Sequence, residues 1–321
     1  MYNFESVFAG RLVSMLEFRA ARGYKRDTYL EHYIRFDRYC RDQKREETEL
    51  DLELVHEWLE SDNTYELAKR TTAIRLFGQY LDAIGETAYV LPNKYATGSK
   101  PKPPYIFTDD ELAALFAAID RLKPTESEPY LNEVAPVLFR LTYTCGLRPN
   151  EGRELLTENV NFNTGEILLT HTKRNKERIV VMSDDMLAMS REYDLRRGIF
   201  GGKNPCFFPS NSGGPLASER VYAAFNKAWG AARRTLECPM PSPVRVYSLR
   251  HRFASACLNR WLDDGENLMA MLPYLRAYMG HDSLNETAYY IHILPENLVS
   301  SPGIDWDALN AILPEVCKWP D

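Results

Sequence analysis

The chain has no long apolar run, no cysteine pair and no excess of positive charge. No stretch approaches the roughly 20 apolar residues that a membrane-crossing helix needs, so no membrane partner is expected. The start, Met1-Tyr2-Asn3-Phe4-Glu5, lacks the basic and then apolar pattern of a secretory signal. Six cysteines (Cys40, Cys145, Cys206, Cys238, Cys257 and Cys317) are scattered and form no C-x-x-C pair. That argues against a zinc site and for reduced thiols in a cytoplasmic setting. A Walker A phrase and a carboxylate cluster suited to two metal ions are both missing, so neither a cofactor nor a metal is expected. There is no internal repeat and no low-complexity segment.

The net charge of −6 excludes a uniformly basic surface of the kind phosphate contacts favour. Charge is nevertheless segregated along the chain. Acidic residues gather at 46–66 and near the C-terminus, basic ones at 172–178, 191–197 and 245–252. Such a pattern is compatible with a basic channel inside an acidic shell.

The length of 321 residues is comfortable for two domains. Four helices are expected in the first ninety or so residues. One carries Phe8, Leu12, Met15 and Leu16, a second Tyr29, Tyr33, Phe36 and Tyr39, and a third Leu54, Val55, Trp58 and Leu59. The fourth is expected to open at Asn63 with Glu66 as its capping-box partner. Residues 92–104, rich in proline and lysine, read as a linker. Thr108 with Glu111 forms a second capping box, and a helix through Val134, Val137, Leu138 and Leu141 follows. Glu166–Thr172 and Arg178–Met182 are β-rich runs flanking a polar turn, a hairpin pattern.

Five local phrases stand out: Gly146-Leu147-Arg148-Pro149-Asn150-Glu151, Thr172-Lys173-Arg174-Asn175-Lys176-Glu177-Arg178, Tyr247-Ser248-Leu249-Arg250-His251, Met279-Gly280-His281-Asp282 and Ala288-Tyr289-Tyr290-Ile291-His292. Each alone has a plain reading: a surface arginine, a solvated turn, a polar helix cap, one tyrosine among 19. Together, two arginines, a lysine, a histidine and a tyrosine are what phosphodiester cleavage without a metal needs. The arginines and histidine offset charge that grows in the transition state, and the tyrosine forms a covalent ester.

These phrases resemble those of the tyrosine recombinase (phage integrase) family, and the likeness spans nearly the whole chain. The resemblance implies a mainly α protein. A four-helix core-binding domain (1–91) and the linker (92–104) would precede an α+β catalytic domain with a small β-hairpin sheet (105–293) and a tail (294–321). It implies a DNA recombinase working through a 3′-phosphotyrosine, probing double-stranded DNA sites as a homotetramer, with accessory DNA-bending proteins in some systems. By resemblance, Arg148, Arg250 and His281 bind the phosphate, Lys173 is the general acid, and Glu151 holds Arg148 from behind. His251 is then structural. Tyr290, nine residues after His281, is the nucleophile. Tyr289 packs, because helix neighbours point about 100° apart. Tyr247 stands where the family phrase has histidine, and a phenol with pKa near 10 is a poor base at neutral pH.

Candidate backbone contacts are Arg22, Lys25, Arg26, Lys69, Arg70 and Arg75 in the first domain. Lys176 and Arg178 read as phosphate contacts or strand-edge charges. Trp306, Leu309, Ile312 and Leu313 in the tail share an apolar face that fits packing on its own domain or, as the resemblance implies, docking on a neighbouring protomer. The alternative to a recombinase is a DNA-binding protein of the same fold that has lost catalysis.

Overall fold

Phe8, Phe36, Trp58 and Phe77, drawn from four separate apolar runs, meet ring against ring in the first unit, with centroids 5.2–6.0 Å apart. The computed structural model describes residues 3–25, 27–61, 66–93, 95, 104–170, 177–211, 213–236 and 244–291. The chain divides at the proline- and lysine-rich segment into two units, Met1–Lys102 and Pro103–Asp321.

In the first unit helix α1 (Ala9–Ala21) adds Leu12, Met15 and Leu16 to the core, while the aromatic cluster is supplied by Phe8 and by helices α2 (Leu30–Asp42), α3 (Leu52–Glu60) and α4 (Leu67–Ala83). Each ring removed from water contributes on the order of 2 kcal/mol. Asp51 caps α3 by accepting the Leu54 amide at 2.7 Å. The fourth helix starts at Leu67 rather than Asn63. Glu66 occupies its N-cap position, and its carboxylate accepts from Lys69 at 2.6 Å. Asn63 itself lies outside the described residues.

In the second unit, helices α5 (Asp109–Ile119) and α9 (Ser218–Leu236) pack on each other, and α6 (Leu131–Thr144) contacts α5, α8 (Asp184–Phe200) and α10 (Tyr247–Asp263). The expected capping box opens α5. The Thr108 hydroxyl accepts from the Glu111 amide at 3.2 Å, and the Glu111 carboxylate accepts from the Thr108 amide at 2.8 Å. The hairpin forms as strands β1 (Glu166–Leu169) and β2 (Arg178–Val181), antiparallel, with Glu166 opposite Val181. Ile167, Leu169 and Val180 face inward while Leu168, Ile179 and Val181 face out. A strand alternates faces with period two, so Arg178 falls on the inward side with Val180.

Short helix α7 (Pro149–Arg153), then α11 (Leu268–Met279) and α12 (Leu284–Ala288), complete the described helices of this unit. A smaller core of Ala254, Leu258, Leu268, Leu272, Met279 and Ile291 carries Tyr290 into the fold. Among the described residues, Cys40, Cys145, Cys206 and Cys257 are unpaired thiols. No described helix is long and apolar enough to cross a membrane. The tail from residue 292, with His292, Trp306, Leu309, Ile312 and Leu313, lies outside the described residues.

Candidate active site

Two helix ends build the site. Helix α6 stops at Gly146, whose φ of +60° lies in the left-handed region that favours glycine. A Cβ there would also run into the Phe253 ring. Helix α11 stops in the same way at Gly280, with φ +63°. Helix C-termini leave carbonyl groups without intrahelical partners and carry partial negative charge. Guanidinium groups take up these carbonyls. Arg250 donates to the Gly146 carbonyl at 2.5 Å and to the Met279 carbonyl at 2.6 Å. Arg148 donates to the Gly280 carbonyl at 2.6 Å. Arginines 148 and 250, 102 positions apart in sequence, are thereby fixed against the same helix junction.

Arg148 sits at the N-cap position of α7, and Pro149 takes the first helical position, where its missing N–H costs nothing. Glu151 reaches back. Its carboxylate accepts from the Arg148 backbone at 2.8 Å and from the Arg148 guanidinium at 2.7 Å. The same carboxylate takes both terminal nitrogens of Arg178, at 2.8 and 2.7 Å. Burial raises the Glu151 pKa, but the hydrogen bonds and charge of Arg178, with Arg148 behind, outweigh that and hold it at about 2.

Arg178 also donates to the Tyr278 carbonyl at 2.8 Å, and its side chain is only 9% exposed. It is therefore neither an exposed strand-edge charge nor an exposed phosphate contact. It ties β2 to Glu151 and to the end of α11. Its inward strand position was the available sequence signal, because a period-two count from Val180 places it on the core side.

Arg250 is fully buried, and its Nε has no hydrogen-bond partner. Burial pulls its pKa down, with Arg148 adding to the effect against the neighbouring Tyr247. A buried cation with an unmatched donor is a strong anion-binding element. His281 is buried, and its Nδ1 pairs with the Thr287 hydroxyl at 2.9 Å, leaving Nε2 as the other ring nitrogen. Burial first, then Arg250, Arg148 and Arg178, lower its pKa to about 3, so the ring is neutral at pH 7.

Tyr290 is buried at 3% exposure with its ring 6.0 Å from that of His281 and nearly parallel to it. Its hydroxyl lies 3.0 Å from His251 Nδ1. Burial raises the phenol pKa, opposed by Arg250 and Arg148. Tyr289 is partly exposed and its ring is 6.4 Å from that of Tyr290. Tyr247 is partly exposed at the start of α10, its ring 4.8 Å from His251. The structure thus gathers Arg148, Glu151, Arg250, His251, His281 and Tyr290, with Tyr247 at the edge. It also puts His251, expected to be structural, against the Tyr290 hydroxyl. Residues 247 and 251 are one helical turn apart, a spacing that signals a shared face. Lys173 and Lys176 lie outside the described residues. Among the described residues, no group of three His, Cys, Asp or Glu gathers as a metal site.

The first-unit candidates separate. Arg22 and Lys25 are exposed at the end of α1, Arg22 over the Phe18 ring at 5.5 Å. Lys69 is exposed and paired with Glu66. Arg75 donates to the Leu91 and Pro92 carbonyls at 2.8 and 2.9 Å. Arg70 is buried, stacked 4.6 Å over Trp58 and bonded to the Trp58 carbonyl. It is a core residue of its unit and not a surface contact. Arg26 lies outside the described residues. The basic run 191–197 is also largely internally matched: Arg196 pairs with Glu192 and Glu133, and Arg197 with Asp194.

The model of the Phage integrase family matches residues 106–297. A putative integrase/recombinase y4rE of Sinorhizobium fredii is 30% identical over 227 residues, 70% of this chain and 71% of that protein. The tyrosine recombinase XerD of Rhizobium meliloti is 27% identical over 238 residues, 72% of this chain and 71% of that protein. Two solved structures share the fold. The Tn1549 transposon integrase in complex with transposon right end DNA has a TM-score of 0.64 at 15% identity, covering 94% of this chain and 97% of that one. The XerH site-specific recombinase in a post-cleavage complex has a TM-score of 0.63 at 19% identity, covering 88% of this chain and 80% of that one. With its paired arginines, buried histidine and inserted tyrosine, the chain belongs to the phage integrase family of tyrosine recombinases, enzymes that cleave and rejoin DNA strands.

Proposed function

We propose that this chain is a site-specific DNA recombinase of a mobile element or phage, acting in the cytoplasm on double-stranded recombination sites through a phosphotyrosine at Tyr290. The observation that carries the proposal is the burial of the Tyr290 hydroxyl beside Arg250, Arg148 and His281. A scissile phosphate there meets two guanidinium groups, and the unmatched Nε of Arg250 gains an acceptor. Charge that develops on the pentacoordinate phosphorus is offset where it forms. Tyr290 displaces the 5′-oxygen and retains the ester energy in a 3′-phosphotyrosine. Lys173, between β1 and β2 in sequence, gives the departing oxygen its proton. A 5′-hydroxyl from another strand then attacks the phosphotyrosine, and four protomers on two DNA sites exchange strands pairwise, with accessory DNA-bending proteins where the site requires them.

The experiment uses duplexes taken from the DNA flanking the gene, with its inverted repeats, nicked near the scissile phosphate so that the cleaved product diffuses away. The wild-type chain traps a covalent protein–DNA adduct on one such duplex. Tyr290→Phe loses it and Tyr289→Phe keeps it. Tyr247, in place of histidine, favours the second reading, a binding protein without catalysis. Specific DNA binding with no adduct at any flanking site would establish that reading instead.

A further inference from the structure

We propose that His251 is the proton acceptor for Tyr290 during cleavage and returns that proton during rejoining. The assignment rests on Tyr290 being the nucleophile. It deepens that reading by naming the group that activates the tyrosine where position 247 carries a phenol.

The contacts of the Tyr290 hydroxyl decide the matter. Its charged neighbours Arg250 and Arg148 are guanidinium groups, which donate and cannot accept. The Glu151 carboxylate is held by Arg148 and Arg178. Nδ1 of His281 is turned to Thr287. Among the described residues the group with a lone pair to offer the Tyr290 hydroxyl is His251, whose Nδ1 lies 3.0 Å from it, well within reach for proton transfer. The rings of His251 and Tyr290 lie 5.5 Å apart.

Helix α10 makes the arrangement possible. It presents Tyr247, Arg250 and His251 at positions i, i+3 and i+4, which share a face. Arg250 thus points at the phosphate site while His251, next in sequence, reaches the nucleophile. Tyr247 lies edge-on to the His251 ring, at 4.8 Å and 63°, and limits its rotation.

Charge state agrees with this role. Burial, then the Arg250 charge, lowers the His251 pKa to about 4, so without DNA the ring is neutral. The tautomer with hydrogen on Nε2 offers the Nδ1 lone pair to the phenol. A phosphodiester seated on Arg148 and Arg250 offsets the positive charge that disfavours imidazolium, and the proton affinity of His251 rises when it is needed.

The steps balance. As Tyr290 Oη bonds to phosphorus, its proton passes to His251 Nδ1. The bond from phosphorus to the 5′-oxygen breaks, and that oxygen takes a proton from the separate acid, Lys173. In rejoining, a 5′-hydroxyl attacks phosphorus and returns its proton to the Lys173 amine, while the bond to Tyr290 Oη breaks and Nδ1–H restores the phenol.

Two assays on the same flanking-site duplex test this. The first is adduct formation on the nicked duplex. His251→Ala is expected to slow it by about 100-fold or more, the usual worth of a positioned acid–base group. His251→Gln, which keeps a polar side chain of similar reach but cannot take up a proton, is expected to be as slow. The second assay, in the Tyr290→Phe background, joins a 5′-hydroxyl strand to a strand bearing a 3′-p-nitrophenyl phosphate. Nitrophenolate leaves without a proton, so adding His251→Ala is expected to change joining by less than about 3-fold, against the 100-fold or more lost in cleavage.

Normal adduct formation by both His251 variants, with Tyr290→Phe inactive, overturns the assignment and leaves the recombinase reading standing. Equal loss in both assays overturns it too, since a purely structural histidine would impair both alike. If His251→Ala does not fold, His251→Gln supplies both comparisons. No adduct from the wild-type chain overturns the recombinase reading, and the role of His251 with it.

Discussion

Glu151 is the residue on which the cationic site balances. Three hydrogen bonds to guanidinium nitrogens and one to a backbone N–H converge on a single carboxylate. Its folded pKa of about 2 lies below the ordinary carboxylate value of 4.5. A depressed carboxylate contributes stability that is fully present above its unfolded pKa and lost as pH falls through the folded one. The stabilisation by Glu151 should thus hold above about pH 4.5 and fade toward about pH 2. Glu151→Gln is expected to destabilise the protein by about 3 kcal/mol at pH 7, because it leaves two arginines without their anion. Urea melts of both proteins at pH 7 and pH 3 should show that difference shrinking with acid. An unchanged difference would mean that the loss is one of packing. Arg70 carries the opposite lesson. A basic residue on a helix reads as a surface charge until the ring that covers it is known. Trp58, twelve positions away, is that ring.

Local chemistry decided several elements before any tertiary contact. Thr108 with Glu111, Pro149 at the first position of α7, and the alternation through Ile167, Leu169 and Val180 all act within a few residues. Thr108→Ala is accordingly expected to cost about 1 kcal/mol and to leave adduct formation unaltered, as a melt and the nicked-duplex assay would show. The glycine ending α6 is different. Gly146→Ala imposes about 1–2 kcal/mol of left-handed strain, and its methyl group meets Phe253. Because the Gly146 carbonyl holds Arg250, the variant should lose cleavage as well as stability. Retained cleavage at a temperature where the variant is folded would uncouple the two.

At the scale of the whole chain, a net charge of −6 coexists with a site where three arginines face one carboxylate. DNA affinity should then follow local charge. Binding to the cognate duplex is expected to fall by on the order of 1,000-fold between 50 and 200 mM salt, the response for about six phosphate contacts. A filter-binding titration that is flat in salt would contradict it. Runs of basic sequence are an uneven guide to the cationic site. Much of 191–197 is matched internally on α8, whereas Arg178 and Arg250 come from the runs 172–178 and 245–252, and Arg148, at the N-cap of α7, from neither.

By itself the sequence determined the two-unit organisation, the helical class, the hairpin and the family's five phrases, because each depends on periodicity, capping or spacing within a short window. Only the tertiary structure decided that Arg178 locks Glu151, that Arg70 is core, and that His251 faces Tyr290. Arg70 is settled by Trp58 within the first unit. The other two roles arise where α7, β2, α10, the end of α11 and Tyr290 meet, and contacts between segments up to 132 residues apart leave no local pattern to read.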